Sequence, residues 1–291
     1  MKEKIGFIIN PVAGTKNKDK IPHLVDKYLD KNRFEPHLFY TERVGHGTEI
    51  AYQLSIEGFP YVVAVGGDGT VNEIGRGIIH TNAALGIIPL GSGNGLARHL
   101  KIPMNARKAI EYLNTAQVVD VDYGKANDNI FFCVCGVGFD AHISRQFALA
   151  DKRGLKTYAE KVIKEYFTYK PQKYWIKSDT INIEREAFLI TFANASQYGN
   201  NAYIAPHASM QDGMMDICIL SKFPLVNAPV LAFKLFTKHI DKSRFMLSLR
   251  ANKITLQRKQ AGAFHFDGEA SEAGIEIEIS IVPNGLKMLI Q

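Results

Sequence analysis

The sequence predicts an α/β domain with a parallel sheet, followed by a β-rich sandwich domain. Its 291 residues suit about two domains, and 46% of them are hydrophobic, which is enough for two cores. Apolar strands alternate with helices up to about residue 115, and such alternation is typical of a parallel sheet. Short alternating strands then dominate, as in Ile275–Ile281. We expect domains at residues 1–124 and 125–291, with the last strand free to return to the first domain.

The elements of the first domain follow one another in a regular order. The predicted strands are Ile5–Asn10, His37–Tyr40, Tyr61–Val65 and Leu85–Pro89. The predicted helices are Ile21–Lys31, Thr48–Glu57, one that begins at Thr70, and Asn105–Asn114. Parallel strands end at a common edge of their sheet, where ligands of open α/β folds bind. We therefore expect the residues that follow the strands to meet there, namely Asn10, Thr41, Gly66 and Gly91.

The second domain is predicted to be mostly β. The predicted strands are Val118–Tyr123, Ile130–Gly136, Ala187–Ala193, Met215–Leu220, Lys253–Gln257, Ala263–Asp267 and Ile275–Ile281. Helical patterns interrupt them at Ile143–Thr168 and Asn227–His239. Three cysteines are too few for a disulfide framework, and no apolar run reaches the roughly 18 residues of a membrane span. The N-terminal residues resemble a strand rather than a signal peptide, so we expect a cytoplasmic protein.

The net charge of +6 is concentrated in residues 151–177, which hold eight Lys or Arg against three acids. Aromatic residues are interleaved with these charges, and part of the segment has helical spacing. One interpretation is a helix that packs on the core and exposes a solvated basic face. The other is a contact with an anionic membrane surface. Nucleic acid ranks last as a partner, because no recognised nucleic-acid module accompanies these residues.

The stretch Tyr61–Ile79 carries the strongest functional signal. A buried-type strand runs into Gly66-Gly67-Asp68-Gly69-Thr70, and an apolar-periodic helix follows. Free backbone N–H groups and a helix N-terminus form an anion site in such a turn. A carboxylate suits that site only if a cation or a transferable proton is present, so phosphate chemistry is indicated. Gly66 and Gly67 alone could reflect close packing of the strand and the helix. No P-loop, dinucleotide fingerprint or protein-kinase signature occurs.

These residues belong to a set of motifs that resembles one family. Gly66–Glu73 resembles the signature of the diacylglycerol kinase catalytic domain, which bacterial lipid kinases, sphingosine kinases and ceramide kinases share. Asn10–Gly14, Ile88–Arg98, Phe266–Glu269 and Val282–Ile290 resemble its other motifs, in the family's order. NAD kinases are more distant relatives. The similarity extends over essentially the whole chain.

The resemblance implies a nucleotide domain and a β-sandwich with the active site in the cleft between them. It also implies ATP as phosphate donor, with Mg²⁺. The implied nucleotide contacts are Asn10, Pro11, Gly14, Thr41, Gly66, Gly67, Asp68, Gly69, Thr70, Asn72, Glu73, Ser92, Gly93 and Asn94.

The resemblance also assigns the acids. Bacterial lipid kinases imply Glu269 or Asp267 as the base, with Asp68 in the catalytic Mg²⁺ network, whereas sphingosine kinases imply Asp68 as the base. The alternative for Asp267-Gly268 is a plain hairpin turn, since Asp-Gly is a strong turn pair. His265 precedes this segment and either lines the cleft or makes local hydrogen bonds.

A structural Mg²⁺ site of some bacterial relatives would fall at Gln211, the Met214 carbonyl and Asp216. Here Gln211 replaces the family's first acid, which weakens such a site. A turn that enters a strand is the preferred interpretation of these residues.

We therefore expect an ATP-dependent lipid kinase that phosphorylates a hydroxyl of diacylglycerol at the membrane surface. Gly91-Ser92-Gly93-Asn94 resembles the loop of sphingosine and ceramide kinases, so a sphingoid lipid is an alternative substrate. An NAD kinase-like phosphotransferase and a catalytically silent nucleotide-binding protein are further alternatives. A homodimer and peripheral contact with the inner membrane surface are left open.

Overall fold

The computed structural model describes residues 2–11, 18–148, 162 and 164–291. The chain folds into two compact units. The first contains Met1–Tyr123, Gly199–Asn201 and Pro283–Gln291, and the second contains Gly124–Tyr198 and Ala202–Val282. Among the described residues, no helix is long and apolar enough to cross a lipid bilayer.

The first unit is a parallel sheet flanked by helices. Its strands are β1 (Glu3–Ile9), β2 (Phe34–Tyr40), β3 (Tyr61–Gly66) and β4 (Ala84–Pro89), in the spatial order β2-β1-β3-β4. The final residues of β16 (Glu276–Ile290) pair in parallel with β4. The helices are α1 (Ile21–Tyr28), α2 (His46–Ile56), α3 (Asp68–Ile78), α4 (Gly95–His99) and α5 (Ala106–Leu113).

Local sequence explains the main features of this unit. Every residue of β3 is buried, as expected for a central strand covered on both faces, which the continuous apolar run predicted. Asn105 caps α5, because its side chain accepts the backbone N–H of Lys108 at 3.2 Å. Helix α1 ends at Tyr28 rather than at Lys31, since Leu29 turns to extended backbone. The predicted α/β plan is confirmed.

The second unit contains two antiparallel sheets. The strands of the six-stranded sheet, in spatial order, are β12 (Met246–Ala251), β11 (Met215–Leu220), β10 (Leu189–Ala193), β7 (Val134–Gly138), β14 (Gly262–Phe266) and β15 (Glu269–Ala273). The other sheet contains the first part of β16, then β13 (Lys253–Arg258), β8 (Gln172–Lys177) and β9 (Asn182–Ala187). Strand β5 (Gln117–Ala126) begins in the first unit and pairs with β6 (Asn129–Phe131).

Helical segments connect these strands. They are α6 (Phe139–Ala148), α7 at residues 164–168, α8 (Ala228–Phe236), and two 3₁₀ turns at Leu225–Asn227 and Ile240–Lys242. One buried core contains residues of both sheets, including Ile254 and Ile277 from one and Ile190 and Ile217 from the other. The predicted β-rich sandwich is therefore confirmed.

Two predicted strands were wrong in detail. The predicted strand Ile130–Gly136 is broken at Phe132 and Cys133, because the N–H groups of these residues bond to the Asp267 carboxylate instead of a neighbouring strand. The predicted strand Ala263–Asp267 ends one residue earlier, since Asp267 lies in a turn.

Four strands were not predicted: β8, β9, β12 and β15. The last three lie at the edges of their sheets, and β8 lies next to such an edge. Edge strands face solvent and commonly carry charge, so their apolar alternation is weak. Strand β9, with the sequence Asn182-Ile-Glu-Arg-Glu-Ala187, is an example.

Candidate functional site

The loops that follow β1, β3 and β4 lie at one edge of the first unit's sheet. Asn10, after β1, donates its backbone N–H to the carbonyl oxygen of Val65 at 3.3 Å. Leu90, after β4, donates to the carbonyl oxygen of Gly66 at 2.8 Å. The parallel strand order thus brings together loops that are distant in sequence.

Gly67 and Gly91 allow the loop after β3 and the loop after β4 to touch. A Cβ on Gly91 would lie only 2.6 Å from the Cα of Gly67. Side-chain carbons do not approach backbone so closely, so a larger residue at position 91 would separate the loops. Turn formation alone does not explain this contact.

The Asp68 carboxylate joins the same two loops. Its Oδ2 accepts the backbone N–H of Asn94 at 2.8 Å, and its Oδ1 accepts that of Gly95 at 2.6 Å. The Asn94 side chain closes its own loop, because it accepts the Gly91 N–H at 3.1 Å and donates to the Gly91 carbonyl at 2.7 Å. Asp68 is the first residue of α3, so the predicted start at Thr70 was two residues late. Asp68 therefore organises the loop that follows β4.

The first turns of α3 contain further predicted nucleotide contacts. Thr70 is buried, and its Oγ1 accepts a hydrogen bond from the Asn10 side chain at 3.3 Å. Asn72 is buried as well. The Glu73 carbonyl accepts a hydrogen bond from Thr48 Oγ1 at 2.8 Å, which ties α3 to α2. The first turns of α3 are thus hydrogen-bonded to Asn10 after β1 and to Thr48 in α2.

The remaining predicted contacts differ in their surroundings. Thr41 is buried at the end of β2, and its N–H bonds to the Ile9 carbonyl at 3.0 Å. Pro11 and Gly69 are exposed, and the Pro11 carbonyl accepts a hydrogen bond from Lys18 Nζ at 2.9 Å. Gly14 lies outside the described residues.

Two residues at this edge were missed by sequence reasoning. They are Arg98 and Asn200, whose Nε and backbone N–H donate to the Gly93 carbonyl oxygen at 2.9 and 3.1 Å. The neighbouring Ser92 is exposed. Arg98 ends the motif Ile88–Arg98, and that position was its one sequence signal. Asn200 lies more than a hundred residues away in sequence, and nothing local indicates it.

In the second unit, Phe266–Glu269 forms a tight hairpin between β14 and β15. Phe266 pairs with Glu269, and the two residues between them have positive φ, 47° at Asp267 and 85° at Gly268. Positive φ at both positions is the type I′ geometry, for which Asp-Gly is a favoured pair. The backbone of this segment is therefore the hairpin considered as an alternative above.

The two acids of the hairpin have different environments. The Asp267 carboxylate accepts the N–H groups of Phe132, Cys133 and Val134 at 2.7, 2.8 and 3.0 Å. Glu269 is the first residue of β15 and is partly exposed. Asp267 thus fixes the chain between β6 and β7, while Glu269 stands beyond the turn.

A buried polar cluster, missed by sequence reasoning, lies beneath this hairpin. The Asp140 Oδ2 is 3.1 Å from His265 Nε2, 3.2 Å from Thr191 Oγ1 and 3.3 Å from the Tyr198 hydroxyl. His265 and Thr191 are fully or almost fully buried. His265 therefore makes a hydrogen bond within its own unit, and Asp140, which no recognised motif marked, lies within hydrogen-bond distance of His265, Thr191 and Tyr198.

Burial and the negative charge of this region raise the pKa of two neighbouring groups. Burial raises the pKa of the Cys135 thiol, and the charges of Asp267 and Asp140 raise it further. Burial, assisted by Asp140, also raises the pKa of Tyr169 to about 12. Cys135 consequently stays a neutral thiol and not a nucleophile.

The segment considered as a second magnesium site contains an ion pair. The Arg250 guanidinium pairs with Asp212 and lies 3.9 Å from Asp216 Oδ2, while Gln211 is exposed. The pKa of Asp216 is raised, mainly by burial. The charge of Asp212 adds to this shift, and the charge of Arg250 opposes it. In the part of the chain that the structure describes, no three His, Cys, Asp or Glu side chains could hold a metal together.

Two known protein families together match nearly the whole chain. Residues 4–126 match the diacylglycerol kinase catalytic domain. Residues 133–290 match the YegS C-terminal NAD kinase beta sandwich-like domain.

Individual relatives agree. A diacylglycerol kinase of Bacillus subtilis (strain 168) is 26% identical over 269 residues, which cover 90% of this chain and 88% of the relative. A probable lipid kinase YegS-like of Chromohalobacter salexigens is 28% identical over 231 residues, or 77% of this chain and 74% of the relative. A crystal structure of a diacylglycerol kinase from Bacillus anthracis str. Sterne has a TM-score of 0.78 at 20% identity, covering 99% of this chain and 97% of that one. That structural likeness concerns the fold.

Proposed function

Because the chain belongs to the family that joins a diacylglycerol kinase catalytic domain to a YegS C-terminal β-sandwich domain, we propose that it transfers the γ-phosphate of ATP to a hydroxyl of diacylglycerol. It is a phosphotransferase with an alcohol acceptor. The observation that carries the proposal is the Asp68 carboxylate, which ties two glycine-rich loops together at the carboxyl edge of a parallel sheet. The acceptor lies at a membrane surface, where diacylglycerol resides.

The first unit holds the donor in this proposal. Gly66 and Gly67 let Thr70 and Gly91 pack against the turn, since their Cβ atoms would lie 2.5 Å from Thr70 Oγ1 and 3.3 Å from the Gly91 Cα. The N-terminus of α3 favours negative charge. The predicted contacts at Asn10, Thr41, Thr70, Ser92 and Asn94 remain part of the proposal. Phosphoryl transfer depends mostly on positioning and charge neutralisation, which such a cradle supplies.

Magnesium is compatible with Asp68. Mg²⁺ keeps several waters and needs only one or two carboxylates beside the nucleotide phosphates, so no larger protein cluster is required. When bound, it neutralises charge on the transferred phosphoryl group. Asp68 would hold it while keeping its bonds to the Asn94 and Gly95 N–H groups. The segment at Gln211, Met214 and Asp216 does not fit a second ion, because Arg250 already provides positive charge there.

Glu269 is the better candidate for the base. Three backbone N–H groups already occupy the Asp267 carboxylate, whose role is then to position the hairpin. Glu269 would take the proton from the acceptor hydroxyl as its oxygen attacks the γ-phosphorus. His265, held by Asp140, would support the strand that leads to this turn.

The test is phosphoryl transfer from labelled ATP with Mg²⁺ to a panel of acceptors. Diacylglycerol, sphingosine and ceramide are presented in mixed micelles, and NAD is supplied in solution. Labelled phosphatidic acid is the expected product. Labelled sphingoid lipid would change the substrate, and labelled NADP would replace the proposal by an NAD kinase. Saturable ATP binding without any product would indicate a catalytically silent nucleotide-binding protein.

A further inference from the structure

Helix α8 and the 3₁₀ turn before it expose a row of large apolar side chains. The exposed fraction is 81% for Val226, 54% for Val230, 68% for Phe233 and 55% for Phe236. At 3.6 residues per turn, these side chains project within an arc of about 120°. We call this set the α8 apolar face.

The helix is apolar on its opposite side as well. Leu231 points into the protein and is 7% exposed. Between residues 225 and 236 the only ionisable side chain is Lys234, and its Nζ bonds to the carbonyl of Lys242 at 2.9 Å. A helix at the surface of a soluble protein normally shows polar residues to water. Large exposed apolar patches mark interaction sites, so we expect this face to contact a binding partner.

Basic residues predominate in the sequence around the α8 apolar face. Residues 221–245 contain five of them against one acid, Asp241: Lys222, Lys234, Lys238, Lys242 and Arg244. Asp241 is 3.6 Å from His207. Lys238 Nζ lies over the ring of Tyr203, 4.5 Å from its centre. The segment that carries the face is consequently positive, and we call these five basic residues its rim.

The described end of the basic segment 151–177 lies beside the same region. Phe167 in α7 is 66% exposed, and its neighbour Tyr166 packs against Phe223 with ring centres 5.5 Å apart. Lys222 Nζ lies over the Tyr166 ring at 5.6 Å. Phe223 leads directly into the turn before α8, so exposed aromatic and basic residues extend from α7 towards the α8 apolar face.

We propose that the α8 apolar face docks this protein on an anionic lipid surface. An apolar centre with a basic rim is the arrangement of interfacial helices, whose apolar side enters the headgroup boundary while cations meet anionic lipids. A second copy of the chain would bring two positive rims together, which opposes self-association through this face. The inference rests on the proposed function, since a kinase for a bilayer-resident lipid must reach that bilayer.

Vesicle co-sedimentation tests the surface without relying on turnover. Phosphatidylcholine vesicles are compared with vesicles that also contain phosphatidylglycerol. The variant Phe233→Ser with Phe236→Ser should bind mixed vesicles about tenfold more weakly than the wild type, because two aromatic side chains no longer enter the interface. The matched control is Tyr52→Ser with Ile56→Ser on α2, where the exposed fractions are 57% and 61%. It should bind as the wild type does.

The charge contribution has its own variant. Lys242→Glu with Arg244→Glu should weaken binding about tenfold on mixed vesicles and leave binding to phosphatidylcholine alone nearly unchanged. Both substitutions lie at exposed positions, so melting temperatures should stay close to that of the wild type. The rim plays no electrostatic part if the charge-reversed variant binds mixed vesicles normally, and the anionic-surface proposal then fails.

Other outcomes separate the two proposals. Phosphorylation of a water-dispersed short-chain diacylglycerol should be unaffected in the Phe233→Ser, Phe236→Ser variant, whereas phosphorylation in vesicles should fall with binding. If no lipid is phosphorylated, the proposed function fails while vesicle binding still reports on α8. Docking is overturned if the wild type does not bind vesicles, or if both serine variants bind equally. It is also overturned if sedimentation velocity shows a wild-type dimer that the α8 variant dissociates without any change in vesicle binding.

Discussion

Asp68 in the first unit and Asp267 in the second both accept backbone N–H groups from a loop that is distant in sequence. Asp68 holds Asn94 and Gly95, whereas Asp267 holds residues 132–134. Each carboxylate therefore organises the backbone of its own unit, which is a structural role separate from any part in the proposed chemistry.

The two motifs differ in what else they contain. Around Asp68 the glycines are needed for space, because Gly67 and Gly91 nearly touch. Around Asp267 the glycine is needed for its backbone angle, since Gly268 has φ of 85° and a Cβ there would have open space around it among the described residues. The first motif continues with Glu73 inside α3, whereas the second continues with Glu269 at the start of β15. The difference separates the proposed cradle for phosphate from the proposed support for a base.

The largest expected effect on stability is that of Asp267→Asn. Three N–H groups lose a charged acceptor, and the new amide would point its own N–H at one of them. We expect a loss of about 3 kcal/mol in unfolding free energy. Urea denaturation measures the loss, and hydrogen exchange should show weaker protection of the amides at residues 132–134. Glu269→Gln is the control and should leave both unchanged.

Asp68→Asn should have a smaller effect on stability, because two N–H groups are involved instead of three. We expect about 2 kcal/mol, together with faster exchange of the Asn94 and Gly95 amides. ATP binding should weaken as well, since the second glycine-rich loop loosens. Unchanged exchange at both amides would contradict the joining role assigned to Asp68.

Gly91→Ala tests whether the close contact between the two glycine-rich loops is needed for ATP binding. Its Cβ would overlap the Cα of Gly67, so the two loops must separate. We expect ATP to bind about tenfold more weakly, or about 1.4 kcal/mol. Isothermal titration of ATP with Mg²⁺ measures this. An affinity equal to that of the wild type would mean that the closeness of the loops is irrelevant to the donor.

Gly268→Ala should have the smallest effect. The alanine Cβ meets no neighbour within 4 Å among the described residues, so only the cost of positive φ remains. That cost is about 1 kcal/mol in unfolding free energy, with no change in ATP affinity. Thermal unfolding and titration together check the prediction. Weaker ATP binding in this variant would remove the distinction between the two glycine roles.

Much of this organisation was predictable from the sequence. The apolar run Tyr61–Val65 and its glycine turn predicted a buried strand before a helix, and the alternation of strands and helices predicted which loops share an edge. The contacts of Asp267 with residues 132–134 were not predictable, because hydrogen bonds between segments about 130 residues apart leave no local pattern. Edge strand β9 was missed because its charges mask its alternation, and Asp140 was missed because its partners are scattered along the chain.

The most direct measurement is single-turnover transfer of labelled γ-phosphate from bound ATP to diacylglycerol by the wild type and by Glu269→Gln. We expect a rate about a thousandfold lower in the variant, with ATP affinity and unfolding free energy unchanged. A near-normal rate in Glu269→Gln would contradict this expectation, because the acid beyond the turn would then not be the base.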